Sequence, residues 1–117
     1  PGTGETISLK LDIKGKDKVY LDSIEKIHHN DKKSLVKNDQ LLHERLFGLI
    51  GKNNVDPDGV KLIQDDILLN TEKIEAITFK FFDEVARKCD ESQLKELNHM
   101  IKRVFSTNER PGPPRAH

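Results

Sequence analysis

Between Val60 and Phe105 the chain contains neither glycine nor proline. A β-sandwich needs a turn about every 8–12 residues and could not cross such a stretch. A helix passes through it without strain. Apolar residues within it recur at helical spacing: Val60, Ile63, Ile67, Ile74, Ile77, Phe81, Val85 and Cys89 advance in steps of three, four or their sum. The chain is therefore expected to be all-α. Leu68, Phe79 and Phe82 fall off that line and widen the apolar arc. A widened arc implies a second contact surface, filled by a third helix or another subunit.

The upstream half carries a similar stripe. Tyr20, Leu21, Ile24, Ile27, Leu35, Leu42, Leu46 and Leu49 sustain one helical face over about residues 12–50. Leu9-Lys10-Leu11 leads into Asp12 as the expected N-cap, and Gly15 is an early weak point. The stripe thins around Asp31, Asn38 and Asp39, where a partly wet contact is expected. Gly48, Gly51 and Lys52-Asn53-Asn54 supply stop signals. Asp56-Pro57-Asp58 then starts a second long helix over 57–88, with Asp56 as cap and Pro57 at the first helical position. Asp90 with Gln93 three residues on forms a capping box for a third helix over 90–105, whose stripe is Leu94, Leu97, Ile101, Val104 and Phe105. Residues 1–11 are expected to be a flexible N-terminal segment, 12–105 the helical domain, and 106–117 a disordered Pro/Gly tail.

Two long helices joined by a short connector must lie antiparallel. Only 34% of the residues are hydrophobic, and another 34% are charged. That ratio suits an elongated hairpin in which each helix buries one stripe. Off-stripe apolar residues on such a hairpin are most economically covered by a second copy, so an antiparallel homodimer is expected.

Twenty Lys and Arg balance twenty Asp and Glu. The signs are interspersed, which argues against a nucleic-acid partner, since phosphate neutralisation needs a basic face. A single cysteine, Cys89, excludes an intrachain disulfide and a cysteine-based zinc site, and it reads as a small buried hydrophobe. No glycine-rich phosphate loop and no nucleophile–base arrangement is visible, so an enzyme is not expected, and Asp65-Asp66 reads as a solvated pair. No signal peptide or membrane span is visible either. Pro1-Gly2-Thr3-Gly4 reads as the start of a trimmed chain from which any targeting segment has been removed.

The order of features resembles the Spy/CpxP-like periplasmic superfamily, in particular its heavy-metal-resistance (CnrX-like) branch of Bacteroidetes type. The matching pieces are Leu9-Lys10-Leu11-Asp12, Glu44-Arg45-Leu46-Phe47, Thr78-Phe79-Lys80-Phe81-Phe82 and Cys89-Asp90-Glu91-Ser92-Gln93, with the Pro/Gly tail last. Asp12 stands where the family has Thr, and Gly15 where it has Gln. The resemblance implies a four-helix-type subunit, a cradle-shaped antiparallel dimer and a periplasmic location, anchored to the inner membrane in some members. It further implies an ATP-independent chaperone or stress-response protein that binds unfolded clients or modulates a membrane sensor. Leu68, Phe79 and Phe82 would then line the client- or partner-binding surface. The alternative implied by the branch is a metal-responsive sensor for zinc, nickel, cobalt or copper.

The residues speak against the branch's familiar metal site. Its late His-x-x-x-Met pair falls on Phe81 and Val85, and no histidine precedes Leu9. None of the five histidines has a second ligand at i+4: His28 meets Lys32, His29 meets Lys33, His43 meets Phe47 and His99 meets Arg103. Neighbouring His28 and His29 point about 100° apart on a helix. A different site built from His28 or His29 with Asp31 or Asp22 is the remaining metal candidate. No cofactor is otherwise expected.

Overall fold

The computed structural model describes residues 5–107. The described residues form four α-helices and no strand: α1 (Ile7–Lys10), α2 (Gly15–Phe47), α3 (Pro57–Arg87) and α4 (Glu91–Thr107). The two long helices pack together as the sequence required. Cross-helix pairs Tyr20–Glu84, His28–Thr78 and Asn38–Asn70 advance along α2 while retreating along α3, so the pair is antiparallel. The molecule measures 60 × 36 × 25 Å with a radius of gyration of 18.6 Å. A compact chain of this length would have about 13 Å. The fold is a rod with a thickened base.

The base holds the core. Ile7, Leu11, Ile13, Leu21, Phe81, Val85 and Leu97 are buried in one cluster, flanked by Ile24, Phe82, Ala86, Cys89, Met100 and Ile101. At the far end, beside the α2–α3 connector, Leu42 and Ile63 are the buried apolar residues. Between these levels the seam is thin and partly polar. Asn70 occupies the stripe position between Ile67 and Ile74 and is buried. Its amide donates to the Leu35 carbonyl at 2.8 Å and accepts from the Asn38 amide at 2.8 Å. The wet contact expected near Asn38 is thus a satisfied amide pair. α2 runs unbroken past it.

The N-terminal segment differs from expectation. Residues 7–10 are helical and Ile7, Ser8 and Leu11 are buried, so the described part of 1–11 is not a flexible leader. The reason is a pattern too short to show as a helix: Ile7 and Leu11 face inward, Leu9 faces out, and Ile13 follows them into the core. Polar bonds tie the segment to α2. The Ser8 hydroxyl donates to Asp22 at 2.5 Å, Lys18 donates to the other Asp22 oxygen at 2.8 Å, and the Ile7 N–H donates to Glu25 at 3.0 Å. Lys18 and then Ser8 hold the Asp22 carboxyl below its ordinary range.

Asp12 is not the N-cap of the first long helix. It adopts a left-handed conformation (φ 59°), as does Gly15 (φ 71°), and the two reverse the chain between α1 and α2. Gly15 is the residue type this conformation favours. Lys14 takes the cap position without a side-chain bond. α2 ends at Phe47 rather than near 50, capped by Gly48, and Gly51 takes a left-handed turn beyond it (φ 82°). At the start of α3, Asp56 accepts from the Asp58 N–H at 3.0 Å with Pro57 behind it. Of the expected C-terminal tail, Ser106 and Thr107 close α4, and 108–117 lie outside the described residues.

Because Ile7 lies in the base core, Ile7→Ala should cost about 2–4 kcal/mol of stability. Urea denaturation of the whole chain measures it. A segment that merely trailed from the helices would show no change.

Candidate binding groove

α4 is anchored to the base through its first turns. The Gln93 N–H donates to Asp90 Oδ1 at 2.7 Å and Gln93 Oε1 accepts from the Asp90 N–H at 2.9 Å, a reciprocal capping box. The remaining end of the Gln93 side chain crosses to the α1–α2 link, donating to the carbonyls of Leu11 at 3.2 Å and Asp12 at 3.3 Å. One turn later Leu97 is buried in the base core. The close backbone packing that joins α2 to α3 has no counterpart along α4, although Met100 and Ile101 lean on the base core past Leu97. Val104 and Phe105 stand exposed.

A groove of about 790 Å³ lies between α4 and the hairpin. Ile74, Phe79, Phe82 and Ala86 of α3 form one wall, and Leu97, Ile101, Val104 and Phe105 of α4 form the other. His28 and Lys32 of α2 close one side, while Glu75 and Asp83 lie at the rim. Phe79 is 75% exposed and Phe105 65% exposed, whereas Phe82 is half-buried and leans on Phe81. A hollow at the hairpin tip, of about 530 Å³, is lined by more polar and charged residues, including Arg45, Lys52, Asp56 and Asp66.

Of the three apolar residues singled out in the sequence, Phe79 and Phe82 come together in the groove. Leu68 is outside it and 68% exposed. It is 11 residues before Phe79, about three helical turns, so it prolongs the same face of α3 toward the tip. The second wall was not singled out from sequence as a binding surface. Val104 and Phe105 read as an ordinary amphipathic stripe, and only their placement opposite α3 makes them a groove wall.

The candidate metal residues are not gathered. His28 is half-buried, stacked on the Phe81 ring at 4.8 Å, with Nε2 3.2 Å from the Thr78 hydroxyl. His29 and Asp31 are exposed, and Asp22 is engaged with Ser8 and Lys18. Phe81 and Val85, where the resemblance would place a late ligand pair, are buried core residues. Among the described residues no three His, Cys, Asp or Glu side chains are grouped to hold an ion. Cys89 is half-buried and its thiol points to the Val85 carbonyl at 3.3 Å. Burial, then the neighbouring Asp90, push its pKa up, which leaves little thiolate for reaction.

On the opposite face Tyr20 donates to Glu84, and Lys88 sits 5.2 Å above the Tyr20 ring while pairing with Asp17 at 3.7 Å. The accepting Glu84 carboxylate raises the Tyr20 pKa. These contacts clamp the base of the hairpin.

Two outcomes follow from this geometry. Gln93→Ala keeps the Asp90 cap but removes the reciprocal side-chain half of the box and the bridge to the α1–α2 link, and should lower stability in urea by about 1–3 kcal/mol. Gln93→Glu keeps the capping acceptor without the amide donor and should fall between. The second concerns pH. Burial first, then Lys32, lower the His28 pKa below the ordinary 6.5, against the opposing pull of Glu25 and Asp31. The unfolded chain therefore takes up this proton first, and protonation favours unfolding. The loss should begin as pH falls through 6.5 and be complete below the folded-state pKa. Thermal unfolding of wild type and His28→Gln across that range should differ by this component.

No protein-family model matches the chain, and neither a curated protein nor a solved structure matches it.

Proposed function

We propose that this chain is a non-enzymatic periplasmic binding protein of the Spy/CpxP type, which holds apolar segments of unfolded or partner proteins in the groove between α3 and α4. The observation that carries the proposal is the groove itself: an open trough walled by apolar side chains of two helices and rimmed by charges of both signs. Apolar walls without a dominant charge accept many sequences, as a chaperone or a modulator of a membrane sensor requires. Desolvating two or three large side chains there contributes on the order of 4–8 kcal/mol before ordering costs. Net affinities in the micromolar range suit capture and release.

The hairpin exposes further apolar residues away from the groove, among them Ile27, Leu41, Phe47, Ile50 and Leu62. Covering them by a second copy gives the antiparallel dimer that the resemblance implies. No helix among the described residues is long and apolar enough to cross a membrane. The metal-responsive alternative rests on the resemblance alone, because His28 is engaged with Thr78 and Phe81 while His29 and Asp31 face solvent.

The test is suppression of aggregation of a chemically unfolded model client. Wild type should suppress at near-stoichiometric amounts, and Phe79→Ser combined with Phe105→Ser should lose most of that effect. Both side chains are exposed, so the melting temperature should barely move. Equal suppression by the double variant sinks the groove reading.

A further inference from the structure

His28 is set into the hairpin seam where it borders the groove. It lines the groove on one side and a hollow of about 390 Å³ on the other. Its ring lies on Phe81, with centroids 4.8 Å apart and planes 11° from parallel, and Nε2 is 3.2 Å from the Thr78 hydroxyl. Phe81 is a buried core residue, whereas His28 is only half-buried. The ring is thus held from beneath and still partly open to water. Four ionisable residues line the groove among the described residues: His28, Lys32, Glu75 and Asp83. Histidine is the one side-chain type among them whose ordinary pKa falls near neutral.

Little around the ring is free to compensate a proton there. Burial first, then Lys32 and His29 on α2, disfavour the charged form, against Glu25 and Asp31. Glu25 is already engaged by the Ile7 N–H. On α3, Asp83 is paired with Arg87 and Glu84 accepts from Tyr20, while Glu75 lies at the groove rim and Lys80 in the far hollow. α4 brings Leu97, Asn98, Ile101, Val104 and Phe105 to the groove, none of them charged. An apolar occupant would strip the remaining water from the ring and offer no partner for a charge.

We infer that His28 makes the groove's hold on apolar segments pH-dependent: an occupied groove excludes the imidazolium, so acid releases what neutral pH retains. The inference rests on the groove reading above and adds the regulation of that same site. The sign follows from linkage. The occupied groove lowers the His28 pKa below its value in the empty one, which itself lies below the ordinary 6.5. Affinity is therefore full above the empty-groove pKa and falls as pH drops through it.

The test is a fluorescence titration of the whole chain with Nile red, an uncharged apolar dye, from about pH 7.5 to about pH 5. Far-UV circular dichroism follows the helices over the same range. Wild type should bind at least about threefold more weakly at the acid end, equivalent to about half a pKa unit. His28→Gln should bind with one affinity throughout, and His29→Gln, altered at an exposed ring outside the groove, should keep the wild-type fall. The His28 ring resonances, titrated by NMR in wild type, should give a lower pKa with dye bound than without. Equal values with and without dye overturn the inference, as does a fall that persists in His28→Gln or merely tracks loss of helix. If wild type shows no fall while Phe79→Ser still loses the dye, the inference fails and the groove reading stands. Dye binding that ignores Phe79→Ser overturns both.

Discussion

Leu97 and Gln93 hold the position of α4, and with it the existence of the groove. Leu97 is sunk in the base core among residues of all the other helices. Gln93 closes the capping box with one end of its amide and reaches the Leu11 and Asp12 carbonyls with the other. These attachments lie in the first two turns of α4. Met100 and Ile101 still lean on the core in the next turn, and the groove alongside is lined by what the stripe of α4 carries. Here it carries Ile101, Val104 and Phe105.

The same base explains why α1 belongs to the fold. A hairpin of two helices offers one stripe from each, and at the base that is too little to enclose Leu21, Phe81 and Val85. Ile7, Leu11 and Ile13 cover them from one side and Leu97 from another. The Ser8–Asp22–Lys18 bonds absorb the polar groups that this closure buries. Further along the hairpin nothing comparable covers the seam. It is held by the Asn38–Asn70 amide pair and by His28 against Thr78 and Phe81. Polar pairs of this kind add little net stability, but they penalise a shift in register, because a shifted Asn70 would be buried without partners.

Much of this was legible in the sequence. The helical class, the two long helices, the Asp56-Pro57 start and the Asp90/Gln93 box are all local, written in side chains within a few residues of one another. Asn70 is legible too, as a polar residue at a stripe position between Ile67 and Ile74. The short α1 was not. Ile7, Leu11 and Ile13 span too few residues to establish a period, and what makes the segment ordered is its contact with α2, α3 and α4. Asp12 misled for a related reason: its type suits a cap, but the chain needs a reversal there, and it takes a left-handed conformation instead.

For the site, the sequence by itself determined which α3 residues had no place in the hairpin seam. Leu68, Phe79 and Phe82 lie off the stripe whatever the helix packs against, because helical periodicity sets their azimuth. Only the tertiary structure decided what faces them. The placement of α4 depends on contacts between residues some eighty positions apart, Gln93 with Leu11 and Asp12. Periodicity reports the face a residue occupies on its own helix. It carries no information about the distance to the next one, and that distance separates a closed core from an open groove.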